Sequence, residues 1–297
     1  MNTPFFISWR YQRSKHKNRL VSLISFFSSL GIALGVAVLI VGLSAMNGFE
    51  RELNQRILAV VPHAEITSAP GQHETSIRHW QNLQTKLKQN PQINGISPFV
   101  SFTALVENGT KLKVVQIKGV ESRLQDSVST LGRFVLNDGW QHFAKQGGLI
   151  LGYGIARDLG VQEGDWVSLL ISQQKGSENL SQPLRERVQV TGILRLDGKL
   201  DHSYALMSLT QAQQLMEYQA DEVSGVELKT TDPFSVKTMD YSMLQDYPQA
   251  LYLQTWISKF GYMYRDIQLI RTVMYIAMVL VIGVACFNIV STLIMAV

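Results

Sequence analysis

Two long uncharged stretches, one near each end of the chain, are its strongest hydrophobic signal. Residues 20–49 and 272–297 contain no Asp, Glu, Lys or Arg. Each exceeds the ~20 apolar residues that a helix needs to cross the hydrocarbon core of a bilayer. We therefore predict two membrane-spanning helices, with residues 50–271 between them on one side of the membrane.

The apolar pattern continues beyond each predicted span. Apolar residues recur at steps of three and four after the first span, and a similar stripe leads into the second. This spacing places them on one face of a helix. We predict that both membrane helices extend as stalks, the first of them ending at Pro62. The stripes are Met46, Phe49, Leu53, Ile57 and Val60, and then Ile257, Phe260, Tyr264 and Ile267.

Short strand-like and helix-like patterns alternate between the stalks. Asn108-Gly109 lies between two alternating runs and predicts a hairpin. Asp232-Pro233 predicts the start of a helix, since Asp caps helices well and Pro suits the first helical position. Further helices are predicted over residues 78–89, over 153–159 with Gly160 as the end, and from Thr210 onward.

The predicted fold class is membrane α-helical, with two spans extended as stalks, plus an α+β external domain of two lobes. Four parts follow along the chain. Residues 1–19 form a basic and aromatic interfacial segment, 20–61 the first span and stalk, 62–255 the external domain, and 256–297 the second stalk and span.

A polar segment, residues 172–187, separates two predicted strands. One interpretation is a long solvated hairpin loop. The other is a projecting arm that contacts a partner protein.

Basic residues before the first span predict its orientation. Arg10, Arg13, Lys15, Lys17 and Arg19 precede the first acidic residue, which indicates a cytoplasmic N-terminus. A cleaved signal peptide is the alternative, but the apolar run is too long for a signal core. The excess positive charge lies here, in a chain of net charge +4. It indicates contact with the headgroups of a phospholipid membrane rather than with nucleic acid.

No motif in the sequence indicates catalysis. The phosphate loop G-x-x-x-x-G-K-[ST] is absent, so we exclude ATP hydrolysis by that route. Asp201, His202 and Ser203 are neighbours in sequence and cannot converge as a triad. His, Cys and acidic residues show no metal-ligand spacing. We therefore expect no catalytic residue, no metal and no cofactor bound by this chain.

Small and polar residues mark one face of each span. Gly31 and Gly35 form a small-xxx-small stripe in the first, and Asn288 lies on a polar face of the second. Such faces favour close helix packing, and a path for lipid or substrate is the alternative. The absence of acidic and basic residues argues against proton or ion transport. The residues predicted for stalk and helix packing are Gly31, Gly35, Leu53, Ile57, Phe260 and Asn288.

Three segments closely resemble the permease subunits of lipoprotein-releasing ABC transporters, the LolC/LolE family. They are residues 35–53, 56–63 and 261–271. Residues 148–160 with Gly164-Asp165 resemble the MacB-type periplasmic core shared by the wider family of FtsX-like permeases. The segment at 172–187 does not look like the hook that LolC subunits carry on the equivalent hairpin, which favours the LolE type.

The resemblance implies a complex in the bacterial inner membrane and a lipoprotein substrate. A LolC-type subunit is the implied membrane partner, and a LolD-type ATPase the implied site of ATP and Mg²⁺. Lipoproteins pass to the periplasmic carrier LolA, and the stalks transmit motion. Family members continue through a coupling helix and two further spans, so we expect this chain to be truncated before them. Lipid contact is expected at Leu43, Met46, Phe49, Met263, Tyr264 and Ile267.

Composition alone leaves two other classes of protein open. A two-span sensor with a ligand-binding external domain would need a cytoplasmic output domain, for which residues 1–19 are too few. An anchored periplasmic enzyme would need a catalytic cluster, which the sequence does not show.

Overall fold

The computed structural model describes residues 19–71, 75–172, 183–196, 199–237, 239, 241–244 and 247–296. In the two long helices, the described side chains are those of residues 26, 29–48, 60, 256–259, 265, 268–287 and 290. The chain divides into two compact units. The helix unit comprises Met1–Leu53 and Tyr262–Val297, and the sheet unit comprises Asn54–Gly261.

Helices and strands alternate through the described residues. The helices are α1 (Arg19–Val60), α2 (Trp80–Leu87), α3 (Ser122–Val128), α4 (Gly139–Gln146), α5 (Tyr153–Leu159), α6 (Leu209–Leu215) and α7 (Trp256–Ala296). The strands are β1 (Ala64–Ser68), β2 (Ile77–Arg78), β3 (Ile93–Asn108), β4 (Lys111–Val120), β5 (Leu149–Gly152), β6 (Trp166–Ile171), β7 (Leu184–Leu194), β8 (Tyr204–Ser208), β9 (Glu222–Val223), β10 (Gly225–Thr230) and β11 (Leu251–Thr255).

The long helices α1 and α7 contain the predicted spans. Their most apolar windows are Ser29–Gly48 and Gln268–Phe287, each with a mean hydropathy of 2.3. Each window is long enough to cross a hydrocarbon core. Helix α1 ends at Val60, two residues before Pro62, which lacks the backbone N–H that a helix requires.

Nine of the described strands form a mixed sheet in the order β11-β1-β10-β3-β4-β8-β5-β7-β6, and β2 and β9 form a separate two-stranded sheet. Strand β6 also pairs with β3, through Ala104–Ile171 and the following residues. The six strands from β3 to β6 therefore close into a ring, and β10, β1 and β11 extend from the first half of β3. Asn108 ends β3 and Gly109 has a φ of 60°, so the predicted hairpin is confirmed.

Apolar residues pack on both faces of this sheet. In β5, Leu149 and Leu151 belong to one core cluster and Ile150 to a second, because successive side chains of a strand point to opposite faces. The second cluster includes Val60, the last residue of α1. The fold is thus a pair of apolar helices joined to an α/β domain, and its division into two lobes stays a prediction.

Several local predictions are confirmed and others are wrong. Helix α5 and its end at Gly160, which has a φ of 69°, are as predicted, and the helix predicted at residues 78–89 is the shorter α2. Residues 184–187, assigned to the polar segment, instead begin β7, while residues 173–182 lie outside the described part. Helices α3 and α4 were not predicted.

The helix predicted from Asp232-Pro233 is also wrong. Asp232 Oδ1 accepts a hydrogen bond from the Phe234 N–H at 3.0 Å, but the element that begins next is the short 3₁₀ helix Ser235–Lys237 rather than an α-helix. The Pro233 carbonyl accepts from the Trp256 indole, and the Phe234 ring packs edge-on against that indole. These tertiary contacts stabilise a turn at Pro233 and Phe234, where the sequence predicts a helix.

Candidate functional site

The seam between α1 and α7 is the first candidate, because it lies within the two apolar windows. A Cβ at Gly35 would lie 3.3 Å from Val281 Cγ1, and a Cβ at Gly42 would lie 2.3 Å from Met274 Cε. From the first contact to the second, the residue number rises by seven in α1 and falls by seven in α7. The helices are therefore antiparallel, with the seven-residue spacing of a helix–helix seam.

Two further residues of α1 are buried along this seam. Leu39 and Met46 are at most 9% exposed, whereas most apolar residues of both windows are exposed. Toward the end of the seam, Arg271 Nη2 donates to Asn47 Oδ1 at 3.4 Å. The seam thus passes from small and apolar residues to a polar contact.

The predicted site residues fall into two groups with respect to this seam. Met46 is buried, Leu43 is half-buried, and Gly35 faces Val281, whereas Gly31 has no atom within 4 Å of a Cβ position. The side chains of the remaining predicted residues lie outside the described part of the chain, so their contacts stay predictions. These are Phe49, Leu53, Ile57, Phe260, Met263, Tyr264, Ile267 and Asn288.

The end of α1 is held inside the sheet unit by a buried serine. Ser129 Oγ donates to the Val60 carbonyl at 2.7 Å and accepts from the Leu131 N–H at 3.2 Å. A helix leaves its last carbonyls without intrahelical partners, and Ser129 satisfies one of them. We call this contact the first root.

The start of α7 is held in the same unit at a second root, formed by Trp256 and Lys259. The Trp256 N–H donates to the His63 carbonyl at 3.0 Å, and its indole N–H donates to the Pro233 carbonyl at 2.8 Å. One turn later, Lys259 Nζ lies 2.7 Å from Glu65 Oε2. Both long helices are therefore fixed to the domain by side-chain and backbone hydrogen bonds.

A buried charge cluster lies beside the second root. Lys118 contacts Glu227, which is 1% exposed, and lies 4.0 Å from Glu65 Oε1. Gln125 Nε2 donates to Glu227 Oε2 at 3.0 Å. The pKa of the Tyr204 hydroxyl is raised well above its ordinary value by burial and by the negative charges of Glu227 and Glu65.

Sequence reasoning did not find the buried charge cluster or either root. Their residues come from α1, β1, β4, α3 and the residue that follows it, β10 and α7, which are far apart in the chain. Among the described His, Cys, Asp and Glu residues, no group of three or more could hold a metal ion.

Comparisons with known proteins agree with this architecture. A family model described as the MacB-like periplasmic core domain matches residues 25–241. The chain is 74% identical over 297 residues to the lipoprotein-releasing system transmembrane protein LolE of Haemophilus influenzae, covering all of this chain and 71% of that protein. It is 31% identical over 299 residues to the protein named LolC of Neisseria meningitidis, covering 98% of this chain and 70% of that protein.

A solved structure also aligns with the chain. The periplasmic region of MacB from Actinobacillus actinomycetemcomitans matches with a TM-score of 0.43 and 10% sequence identity, over 72% of this chain and 98% of that chain.

Proposed function

Because the chain belongs to the LolC/LolE family of lipoprotein-releasing transmembrane proteins, we propose that it acts as the LolE-type permease subunit of an ABC transporter. This transporter releases lipoproteins from the bacterial inner membrane for delivery to the outer membrane. The observation that carries the proposal is the match at 74% identity along the whole chain. The two apolar helices and the MacB-like domain fit a membrane subunit with a large periplasmic part.

We propose that the catalytic work is done by other subunits of the complex. A LolD-type ATPase would bind and hydrolyse Mg-ATP in the cytoplasm, and this chain would bind no cofactor. A LolC-type subunit would complete the membrane pair, and released lipoproteins would pass to the carrier LolA. In support, the sequence lacks a phosphate loop, and LolC proteins are among its relatives.

The stalks are proposed to transmit motion between the ATPase and the periplasmic domain. Each long helix is continuous from its apolar window to a root in the sheet unit. Hydrogen bonds at Ser129 and Trp256 fix both roots. A helix held at its end by such contacts moves with the structure to which it is held. We also propose that the six-stranded ring and the β10-β1-β11 extension are the two lobes, since they share only β3.

Lipid contact is proposed along the seam and above it, at Leu43, Met46, Phe49, Met263, Tyr264 and Ile267. Met46 is only 9% exposed, so an acyl chain would reach it when α1 and α7 separate. Leu43 is half-buried and would remain accessible from one side of the seam. Within the hydrocarbon region, van der Waals packing favours contact between apolar side chains and acyl chains.

Site-specific photo-crosslinking in the assembled transporter tests this function. A photoreactive residue at Leu43 or Met46 is expected to capture a triacylated lipoprotein, and ATP is expected to release it. Val41, which is 68% exposed, is the matched control on another face of α1. Equal capture from Val41, or no capture from Leu43 and Met46 while a partner permease is captured elsewhere, would contradict the proposal.

A further inference from the structure

Two carboxylates oppose each other directly in the sheet unit. Glu65 on β1 and Glu227 on β10 are cross-strand partners, and their side chains are 16% and 1% exposed. Like charges directly opposite one another in a sheet are destabilising, and burial strengthens their repulsion. These two positions therefore require cations nearby.

Lys118 supplies the first cation. It contacts Glu227, lies 4.0 Å from Glu65 Oε1, and rests 4.3 Å from the centre of the Phe99 ring. One ammonium group cannot neutralise two carboxylates, so these three side chains alone carry a net negative charge.

Lys259 supplies the second cation, and it comes from α7. Its Nζ lies 2.7 Å from Glu65 Oε2. Among the described side chains, Lys118 and Lys259 are the ammonium groups that contact these carboxylates, and together they balance the two negative charges. Lys259 follows Trp256 by three residues, so both lie on the same side of the first turn of α7.

We propose that Lys259 is the positioning residue that docks the second stalk. The Lys259–Glu65 contact holds the first turn of α7 in place by completing the charge balance of the buried cluster. When this turn moves away from the domain, Glu65 and Glu227 are left to share Lys118, and the resulting excess charge opposes the movement. This inference rests on the proposed function, in which α7 carries motion to the domain.

Hydrogen–deuterium exchange in the full transporter measures this docking. Lys259→Met is expected to raise the rate of exchange in the first turns of α7 by about two- to fivefold. This fold-change corresponds to the free energy that a partly exposed ion pair contributes. Lys259→Arg keeps the charge and is expected to preserve protection. Lys145→Met, on the exposed face of α4, is the matched control and is expected to change nothing in α7.

The pairing with Glu65 is tested by a double-mutant cycle. If Lys259 acts through Glu65, Glu65→Gln also raises exchange in α7, and adding Lys259→Met to it has little further effect. Equal exchange in Lys259→Met and Lys145→Met, or full additivity with Glu65→Gln, would overturn the proposal.

The role of Lys259 in transport is measured by the amount of lipoprotein released per ATP hydrolysed. Lys259→Met is expected to lower this ratio, and Lys259→Arg to restore it. A wild-type ratio in Lys259→Met, despite faster exchange, would overturn the positioning role. Failure of the unmodified complex to release any lipoprotein would instead overturn the proposed function, while the exchange experiment would still decide whether Lys259 docks α7.

Discussion

Replacing Ser129 by alanine is the sharpest test of how α1 is held in the sheet unit. The Ser129 hydroxyl is buried and joins two backbone groups, the Val60 carbonyl at 2.7 Å and the Leu131 N–H at 3.2 Å. Val60 and Leu131 are themselves less than 9% exposed, so water cannot easily replace the hydroxyl. The substitution therefore leaves a buried acceptor and a buried donor without this partner.

The expected cost follows from these two groups. A buried polar group left without a partner costs about 1–3 kcal/mol. We expect Ser129→Ala to lower the free energy of unfolding of the sheet unit by about 2–4 kcal/mol, allowing for some relaxation of the chain. Ser127→Ala is the matched control, because Ser127 is exposed and, among the described residues, its hydroxyl donates within its own turn, to the Leu124 carbonyl. It should cost less than about 0.5 kcal/mol.

Urea unfolding of the detergent-solubilised chain, followed by tryptophan fluorescence, measures both variants. Hydrogen–deuterium exchange locates the effect, which is expected at the last turn of α1 and around Leu131. The reasoning is refuted if Ser129→Ala loses no more stability than Ser127→Ala, or if exchange rises elsewhere but not at these two places.

Two further predictions concern other parts of the molecule. Gly35→Leu is expected to destabilise the helix pair by about 1–3 kcal/mol in detergent-induced unfolding, since even a Cβ would lie 3.3 Å from Val281. Gly31→Leu, with no neighbour within 4 Å, should cost far less, and equal losses would contradict this seam. Burial raises the pKa of Tyr241, which donates to the Val236 carbonyl, to about 12. This pKa exceeds the ordinary 10.0 of a tyrosine. The contribution of the protonated Tyr241 hydroxyl to the free energy of unfolding is therefore fully present below about pH 10 and is lost as the pH rises through about 12. The free energy of unfolding should fall more steeply in that range for the wild type than for Tyr241→Phe, and parallel curves would contradict the assignment.

Local signals in the sequence predicted local structure well. Asn108-Gly109 specifies a tight turn, and Gly160 ends α5 because it adopts a positive φ at no steric cost. The apolar windows of α1 and α7 are also local, because membrane crossing depends on the composition of one segment. The family assignment made from the stalk segments is confirmed by the match to LolE.

Contacts between distant segments were not predictable in the same way. Lys118 shares its face of β4 with Leu112, Val114 and Gln116, which are all exposed. The alternation of exposed and buried residues along a strand therefore predicts that Lys118 is exposed. Lys118 is buried because Glu227 and Phe99 cover that end of the strand, and no pattern within β4 reports those partners.

The closed ring has a consequence for association between molecules. Since β6 pairs back onto β3, the nine-stranded sheet has one end strand, β11. Unpaired edge strands are the places where sheets of separate chains join and aggregate. Strand β11 is five residues long and passes directly into α7, so another strand could pair with it over a short length only. The topology of the nine-stranded sheet therefore limits how far strand pairing between copies of this domain could extend from its end strand.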